Sequence, residues 1–263
     1  MEYTTIGFEI RAGVAHITLN RPAAANSINL TLAQELFDAV LHCDEEPAVR
    51  AVLLTATGNI FCAGGDLKSF HLHQGPALAI HLKQVTAFFH AAISRLTHMD
   101  APVVAAIQGS AAGAGLSLIC ACDMPMAAQS ARFTMAYTRA GLTPDGSISY
   151  FLPRLVGARR ALDLALTNRA ISAKEAFEWG IVSRVVADGE LPEAAQALAR
   201  QLANGPKHAF GVTKRLMLGS FSQTLESQME HEARAIAQAI GGAESREGIA
   251  AFLEKRQPDF TKG

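Results

Sequence analysis

Two short, largely apolar runs, residues 49–55 (Val-Arg-Ala-Val-Leu-Leu-Thr) and 103–107 (Val-Val-Ala-Ala-Ile), constrain the fold more than any other feature of this chain. A strand with one wet face alternates apolar and polar residues, whereas a run without that alternation is a strand covered on both faces, the habit of parallel sheets. Residues 14–19 do alternate, and 122–128 offer a weaker fourth strand. Helical patterns fall between them at 30–41, 78–96 and 116–120, so strand and helix take turns and the expected class is α/β. After about Leu155 the pattern becomes helix upon helix. Ser172-Ala173-Lys174-Glu175 forms a capping box, in which each end satisfies an orphan N–H of the other, and further helices are expected near 193–202, 206–217, 223–239 and 244–255. We therefore divide the chain into a core, residues 1–195, and a C-terminal helical region, residues 196–263, expected to serve oligomerisation.

At 263 residues the chain is long enough for a sizeable core. Its 23 basic and 24 acidic side chains give a net charge of -1, which supplies no field for a polyanion, so nucleic acid is not an expected partner. Cys43, Cys62, Cys120 and Cys122 lie among apolar residues without a secretory leader, the pattern of reduced thiols in a cytoplasmic protein. No apolar run reaches the roughly 18 to 20 residues that span a bilayer, so no membrane segment is expected.

Each buried run leads into a glycine-rich turn: Cys62-Ala63-Gly64-Gly65-Asp66 after the first, Gly109-Ser110-Ala111-Ala112-Gly113-Ala114-Gly115 after the second. Glycine lets backbone N–H groups come close to a ligand oxygen, and the second turn opens a helix, where N–H groups are free. Close packing of helix on sheet explains either turn taken alone. Gly113-Ala114-Gly115 begins like a dinucleotide fingerprint, but Leu118 holds the third glycine position and no ribose-binding acid follows. His71, His73 and His81 lack the acids or thiols that would complete a metal shell, so no metal is expected. Neither a G-x-S-x-G elbow nor a Cys/His nucleophile signature is present. Between Pro47 and Lys174 there is no glutamate, and the acids are Asp66, Asp100, Asp123, Asp145 and Asp163. Two turns able to hold an oxygen and Asp145, in Thr143-Pro144-Asp145-Gly146, point to thioester enolate chemistry, although Pro-Asp-Gly is also ordinary turn chemistry.

Taken in order, Asn20-Arg21-Pro22, Asn26-Ser27-Ile28-Asn29, Phe61-Cys62-Ala63-Gly64-Gly65-Asp66-Leu67, Ala101-Pro102-Val103-Val104-Ala105-Ala106, Ala121-Cys122-Asp123, Ser130-Ala131-Arg132-Phe133 and Leu152-Pro153-Arg154-Leu155-Val156-Gly157 resemble the crotonase (enoyl-CoA hydratase/isomerase) superfamily over essentially the whole chain. The resemblance implies a spiral of ββα units, a helical region that builds a homotrimer or a dimer of trimers, and an acyl-CoA thioester substrate whose CoA is part of the substrate, with no separate cofactor. It implies that the N–H groups of Gly65 and Ala114 hold the thioester oxygen, Ala114 standing where glycine is usual. It places Ala63, Gly64, Asp66, Leu67 and Gly115 along the substrate, Phe252 and Lys255 toward the nucleotide end, and His90 and Tyr137 near the acyl group, Tyr137 as a pocket wall.

The acids bear on the reaction. Members that hydrate enoyl-CoA carry two glutamates, at positions that here are Ser117 and Tyr137. Asp145 matches an aspartate found in two kinds of relatives: phenylacetate-pathway epoxyacyl-CoA and enoyl-CoA isomerases, where it moves a proton, and 4-chlorobenzoyl-CoA dehalogenases, where it attacks the ring and where a histidine matches His90. The stretch from Phe133 to Pro153 is similar to the isomerases, so the expected activity is an isomerase with Asp145 as base. A hydratase with atypical acids, an aryl-CoA dehalogenase and a non-catalytic acyl-CoA-binding subunit are the alternatives.

Overall fold

The computed structural model describes residues 3–261. Strands β1 (Ile6–Arg11) and β2 (Val14–Leu19) form an antiparallel hairpin whose two-residue turn, Ala12-Gly13, has φ of 50° and 76°, the doubly positive turn that matches strand twist. Helix α1 (Leu30–Glu45), capped by the Asn29 side chain on the Leu32 N–H, crosses to β3 (Ala51–Ala56). Helices α2 (Leu67–His71) and α3 (Pro76–His98) precede β4 (Val103–Ile107), and β5 (Ser110–Ala112) and α4 (Ala114–Cys120) lead to β6 (Met124–Ala128). Then follow β7 (Arg132–Thr134), α5 (Ile148–Val156), α6 (Ala158–Thr167), β8 (Ile171–Ser172), α7 (Ala173–Glu178), β9 (Arg184–Val186) and α8 (Leu191–Ala203). The chain continues through α9 (Lys207–Gly219), α10 (Leu225–Ile240) and α11 (Ala243–Leu253).

The main sheet runs β1-β2-β3-β4-β6-β9, parallel from β2 onward, and a second sheet runs β5-β7-β8. The two apolar runs lie at its centre, and their side chains divide by face. Val52, Leu54, Val103, Ala105 and Ile107 enter the larger core beside α1, α3 and α4. Ala51, Leu53, Val104 and Ala106 pack on the other face against Leu191, Ala195, Leu198 and Ala199 of α8. Helices on both faces are why residues 51–54 and 103–107 are all apolar, and the expected α/β class is the observed one.

Two details of the sequence reading shift. The division after residue 195 falls inside α8, which covers the sheet, so packing on the core extends to Ala203. Strand β1, with Gly7 in it and its outer half exposed, has no pattern that marks it. The capping box forms as expected, Ser172 Oγ accepting the Glu175 N–H at 3.1 Å and Glu175 Oε2 accepting the Ser172 N–H at 3.0 Å. Helix α10 buries none of its residues. Among the described residues no helix is long and apolar enough to cross a membrane.

Candidate active site

The segment after β3 returns to pair with β5. Cys62 N–H donates to Ser110 O at 3.2 Å and Ala112 N–H to Cys62 O at 2.9 Å, so both glycine turns leave this ladder side by side. They touch: a Cβ built on Gly64, whose φ is 101°, would stand 2.9 Å from Ala112 O and 3.5 Å from the Ala114 nitrogen. Several amides of the two turns are used. Ala63 N–H donates to Ala25 O, Asp66 N–H to Ile28 O and Gly113 N–H to Thr134 O. The N–H groups of Gly65 and Ala114 have no partner among the described residues, and both residues line one cavity of about 440 Å³. Two free donors beside an apolar cavity are the arrangement that stabilises an oxyanion.

Asp66 fixes the first turn from beneath. Its carboxylate accepts Arg21 Nη2 at 2.9 Å and the Ser69 N–H at 3.1 Å, capping α2, while Arg21 Nη1 also donates to Ser27 O. Burial pushes the Asp66 carboxyl up, but the bonds from Ser69, Arg21 and Lys68 together outweigh it and hold the group below its ordinary value. It stays ionised, as a holder of the turn outside the cavity lining. Gly115 is also absent from the lining: a Cβ there would be 2.5 Å from Cys62 O, so this glycine serves the approach of α4 to the first turn.

The cavity wall opposite the turns is one face of α3, formed by Ala79, Leu82, Lys83, Val85, Thr86 and Phe89, and it is completed by Ile28, Ala63, Gly64, Leu67, Phe70 and the segment from Ala136 to Asp145. Asp145 is the carboxylate of that lining and Lys83 its cation. Tyr137 OH donates to Asp145 Oδ1 at 2.6 Å and lies 2.9 Å from Ser117 Oγ, which in turn lies 2.9 Å from Asp145 O. Burial, and after it the neighbouring Asp145 carboxylate, push the Tyr137 phenol far above its ordinary value. It therefore remains a donor at any working pH. His90 lies behind this loop, outside the lining. Its Nε2 accepts the Gly146 N–H at 3.1 Å and stands 4.0 Å from Asp145 Oδ2. A ring nitrogen that accepts a hydrogen bond carries no proton, so in this arrangement the contact with Asp145 is not an ion pair.

The structure thus brings Ala63, Gly64, Gly65, Leu67, Ala114, Tyr137 and Asp145 to one cavity, with His90 and Asp66 just behind it. Phe252, which is 81% exposed, and Lys255 lie at the end of α11 and do not line it. Sequence reasoning missed the α3 face, although the recurrence of Ala79, Leu82, Val85, Thr86 and Phe89 at helical spacing was a usable signal. It treated Ser117 as an absence; no signal in the sequence shows its bonds to Tyr137 and Asp145. Among the described residues no group of three or more His, Cys, Asp or Glu could hold a metal ion.

Residues 9–263 match the family described as Enoyl-CoA hydratase/isomerase. The chain is 38% identical over 253 residues, 96% of each chain, to a 1,2-epoxyphenylacetyl-CoA isomerase of Escherichia coli. It is 36% identical over 250 residues, 95% of this chain and 91% of the relative, to 4-chlorobenzoyl coenzyme A dehalogenase-2 of an Arthrobacter species. With a protein of Rhodobacter capsulatus named "Probable enoyl-CoA hydratase" it shares 40% identity over 262 residues, 99% of each. Among solved structures, an enoyl-CoA hydratase from Bacillus anthracis superposes with a TM-score of 0.92 at 32% identity, covering 99% of this chain and all of that one. Three activities are named among these relatives, so overall similarity does not choose the reaction.

Proposed function

The chain belongs to the enoyl-CoA hydratase/isomerase family, and from that premise we propose that it is an acyl-CoA isomerase in which Gly65 and Ala114 hold the thioester oxygen and Asp145 moves the proton. The carrying observation is that the cavity with the two unpaired amides is lined by one carboxylate, Asp145, whose Oδ2 accepts no hydrogen bond from the described residues. In a 3-enoyl thioester, Asp145 Oδ2 takes a proton from C2. The C–H electron pair moves into the C1–C2 bond, and the carbonyl pair moves onto the oxygen held by the two N–H groups. Return of the proton to C4 moves the double bond to C2–C3 and restores both the carbonyl and the carboxylate. Each amide contributes about 2.7 to 4 kcal/mol to such an anion, and one positioned base serves both transfers.

The space around Ser117 supports moving a proton rather than adding water. By the resemblance, hydration uses glutamates at the positions of Ser117 and Tyr137. A Cβ built on Gly146 would stand 2.9 Å from Ser117 Cβ and 2.6 Å from a Phe89 ring carbon, so the Asp145 loop fills the volume that a longer acid at 117 would need. A second reading, aryl-CoA dehalogenation with Asp145 as nucleophile, is favoured by His90 standing 4.0 Å from Asp145 Oδ2.

A three-thioester panel tests the choice. We expect trans-3-hexenoyl-CoA to gain conjugated-enoyl absorbance, crotonyl-CoA to keep its own, and 4-chlorobenzoyl-CoA to release no chloride. Chloride release would install the dehalogenase, crotonyl-CoA hydration the hydratase, and tight binding without turnover or solvent deuterium exchange a binding subunit. Assembly into a trimer, or a dimer of trimers, belongs to the same proposal: Leu225, Met229, Ile236 and Ile240 form an exposed stripe along α10. Light scattering is expected to return three or six times the chain mass, and a monomer at micromolar concentration would refute it.

A further inference from the structure

Asp145 lies between Gly141 and Ser147 in a stretch without regular structure, so no helix or strand fixes its carboxylate. Three side chains from separate places hold the Asp145-Gly146 segment instead. Ser117 of α4, fully buried, reaches the Asp145 carbonyl; His90 of α3 takes the Gly146 N–H; Tyr137 reaches the carboxylate itself. Tyr137 is aimed by its neighbour, since Ala136 has a φ of 57°, a left-handed conformation that L side chains adopt reluctantly. The protons can be counted. Each hydroxyl has one, and the 2.6 Å contact assigns that of Tyr137 to Asp145 Oδ1. Ser117 then directs its own toward the Tyr137 oxygen at 2.9 Å, the Asp145 carbonyl at 2.9 Å or the Gly113 carbonyl at 3.2 Å. A donor of this kind polarises the next one along the chain.

We propose that Tyr137, backed by Ser117, is the positioning residue of the reaction: it holds Asp145 Oδ1 permanently and leaves Oδ2 as the oxygen that accepts and returns the proton. The proposal rests on Asp145 being the base. Rotation of the carboxylate plane out of this position would break the Tyr137 contact, so the pair fixes the direction in which the second oxygen faces; a half turn only exchanges two equivalent oxygens. Its role is geometric, and a misplacement of about 1 Å at such a group costs on the order of 10²-fold in rate. Two positions that carry acids in hydrating relatives would here hold an acid that belongs to neither.

Tyr137→Phe, Ser117→Ala and Asp145→Asn, assayed side by side on trans-3-hexenoyl-CoA, test this. Tyr137→Phe is expected to lower kcat by about 10- to 100-fold with KM within about twofold, because the lost contact orients the base and does not bind the thioester. Ser117→Ala is expected to shift kcat in the same direction by less, and it supplies the readout if Tyr137→Phe does not fold. Unchanged kcat in either folded variant, or a loss expressed in KM, overturns the positioning role while leaving Asp145 as base. Retained activity in Asp145→Asn, or no turnover by the wild type, overturns the base and the positioning role together.

Discussion

Asp145→Asn is expected to lower kcat by about 10²- to 10⁴-fold, the usual contribution of a positioned general base, with KM for the acyl-CoA nearly unchanged. The substitution is close to isosteric. Its amide oxygen can still accept the Tyr137 hydroxyl that now reaches Oδ1 at 2.6 Å, and the loop keeps its Ser117 and His90 contacts through main-chain atoms. What disappears is the lone pair that takes the proton. Because the Gly65 and Ala114 amides are untouched, binding of the thioester carbonyl survives, and the loss falls on the chemical step. Steady-state kinetics combined with solvent deuterium exchange into the α-carbon read this out, and more than a tenth of wild-type exchange in the variant would remove Asp145 from the mechanism.

Gly115→Ala is the second large effect, and here the sign must be decided between opposing terms. Alanine in a helix is worth about 1 kcal/mol over glycine. Against this, the new methyl would lie 2.5 Å from the Cys62 carbonyl oxygen, 2.7 Å from its Cβ and 3.0 Å from its sulfur, closer than atoms pack. The carbonyl cannot yield cheaply, because it accepts the Ala112 N–H at 2.9 Å in the ladder that joins the two turns. Relief has to come from α4 moving off the first turn. Overpacking costs about 1–3 kcal/mol, and a contact this short with a backbone oxygen puts the cost in the upper part of that range, about 2–3 kcal/mol. We expect a net loss of roughly 1–2 kcal/mol, a fall in Tm of about 2–8 °C for a chain of this size, and a fall in kcat on the order of 10-fold or more as the Ala114 N–H leaves the oxygen it shares with Gly65. Thermal melts and the same kinetic assay check both. Wild-type Tm and kcat would show that the contact relaxes elsewhere.

The sequence revealed different parts of the molecule for different physical reasons. Strands β3 and β4 were legible because burial on both faces leaves a mark in one stretch of chain, and the α7 cap was legible because Ser172 and Glu175 are three residues apart. Helix α8 is legible as a helix, but its amphipathic pattern does not say that it covers one face of the main sheet. At the site, Asp145 emerged by elimination among five aspartates. The sequence marks Tyr137 only as a pocket wall; its bond to Asp145 forms within the stretch 136–147, which has positive φ at Ala136, Gly141, Gly146 and Ser147 and which no periodicity encodes. Ser117 has its meaning only through contacts 20 and 28 residues away. Phe252 and Lys255 came from the resemblance and lie apart from the cavity in the single chain.

The two donors facing the cavity are main-chain atoms, and this makes the halves of the site unequal under mutation. Any residue other than proline that preserves the backbone path at 65 and 114 also preserves the N–H, which is why alanine at 114 leaves it in place. The proposed base, Asp145, is a single side chain whose placement depends on contacts from residues at 90, 117 and 137. On the proposed function, a lineage built on this scaffold can drift in sequence and still inherit its grip on a thioester carbonyl, whereas each new chemistry on the acyl group requires a fresh solution to where one acid is held.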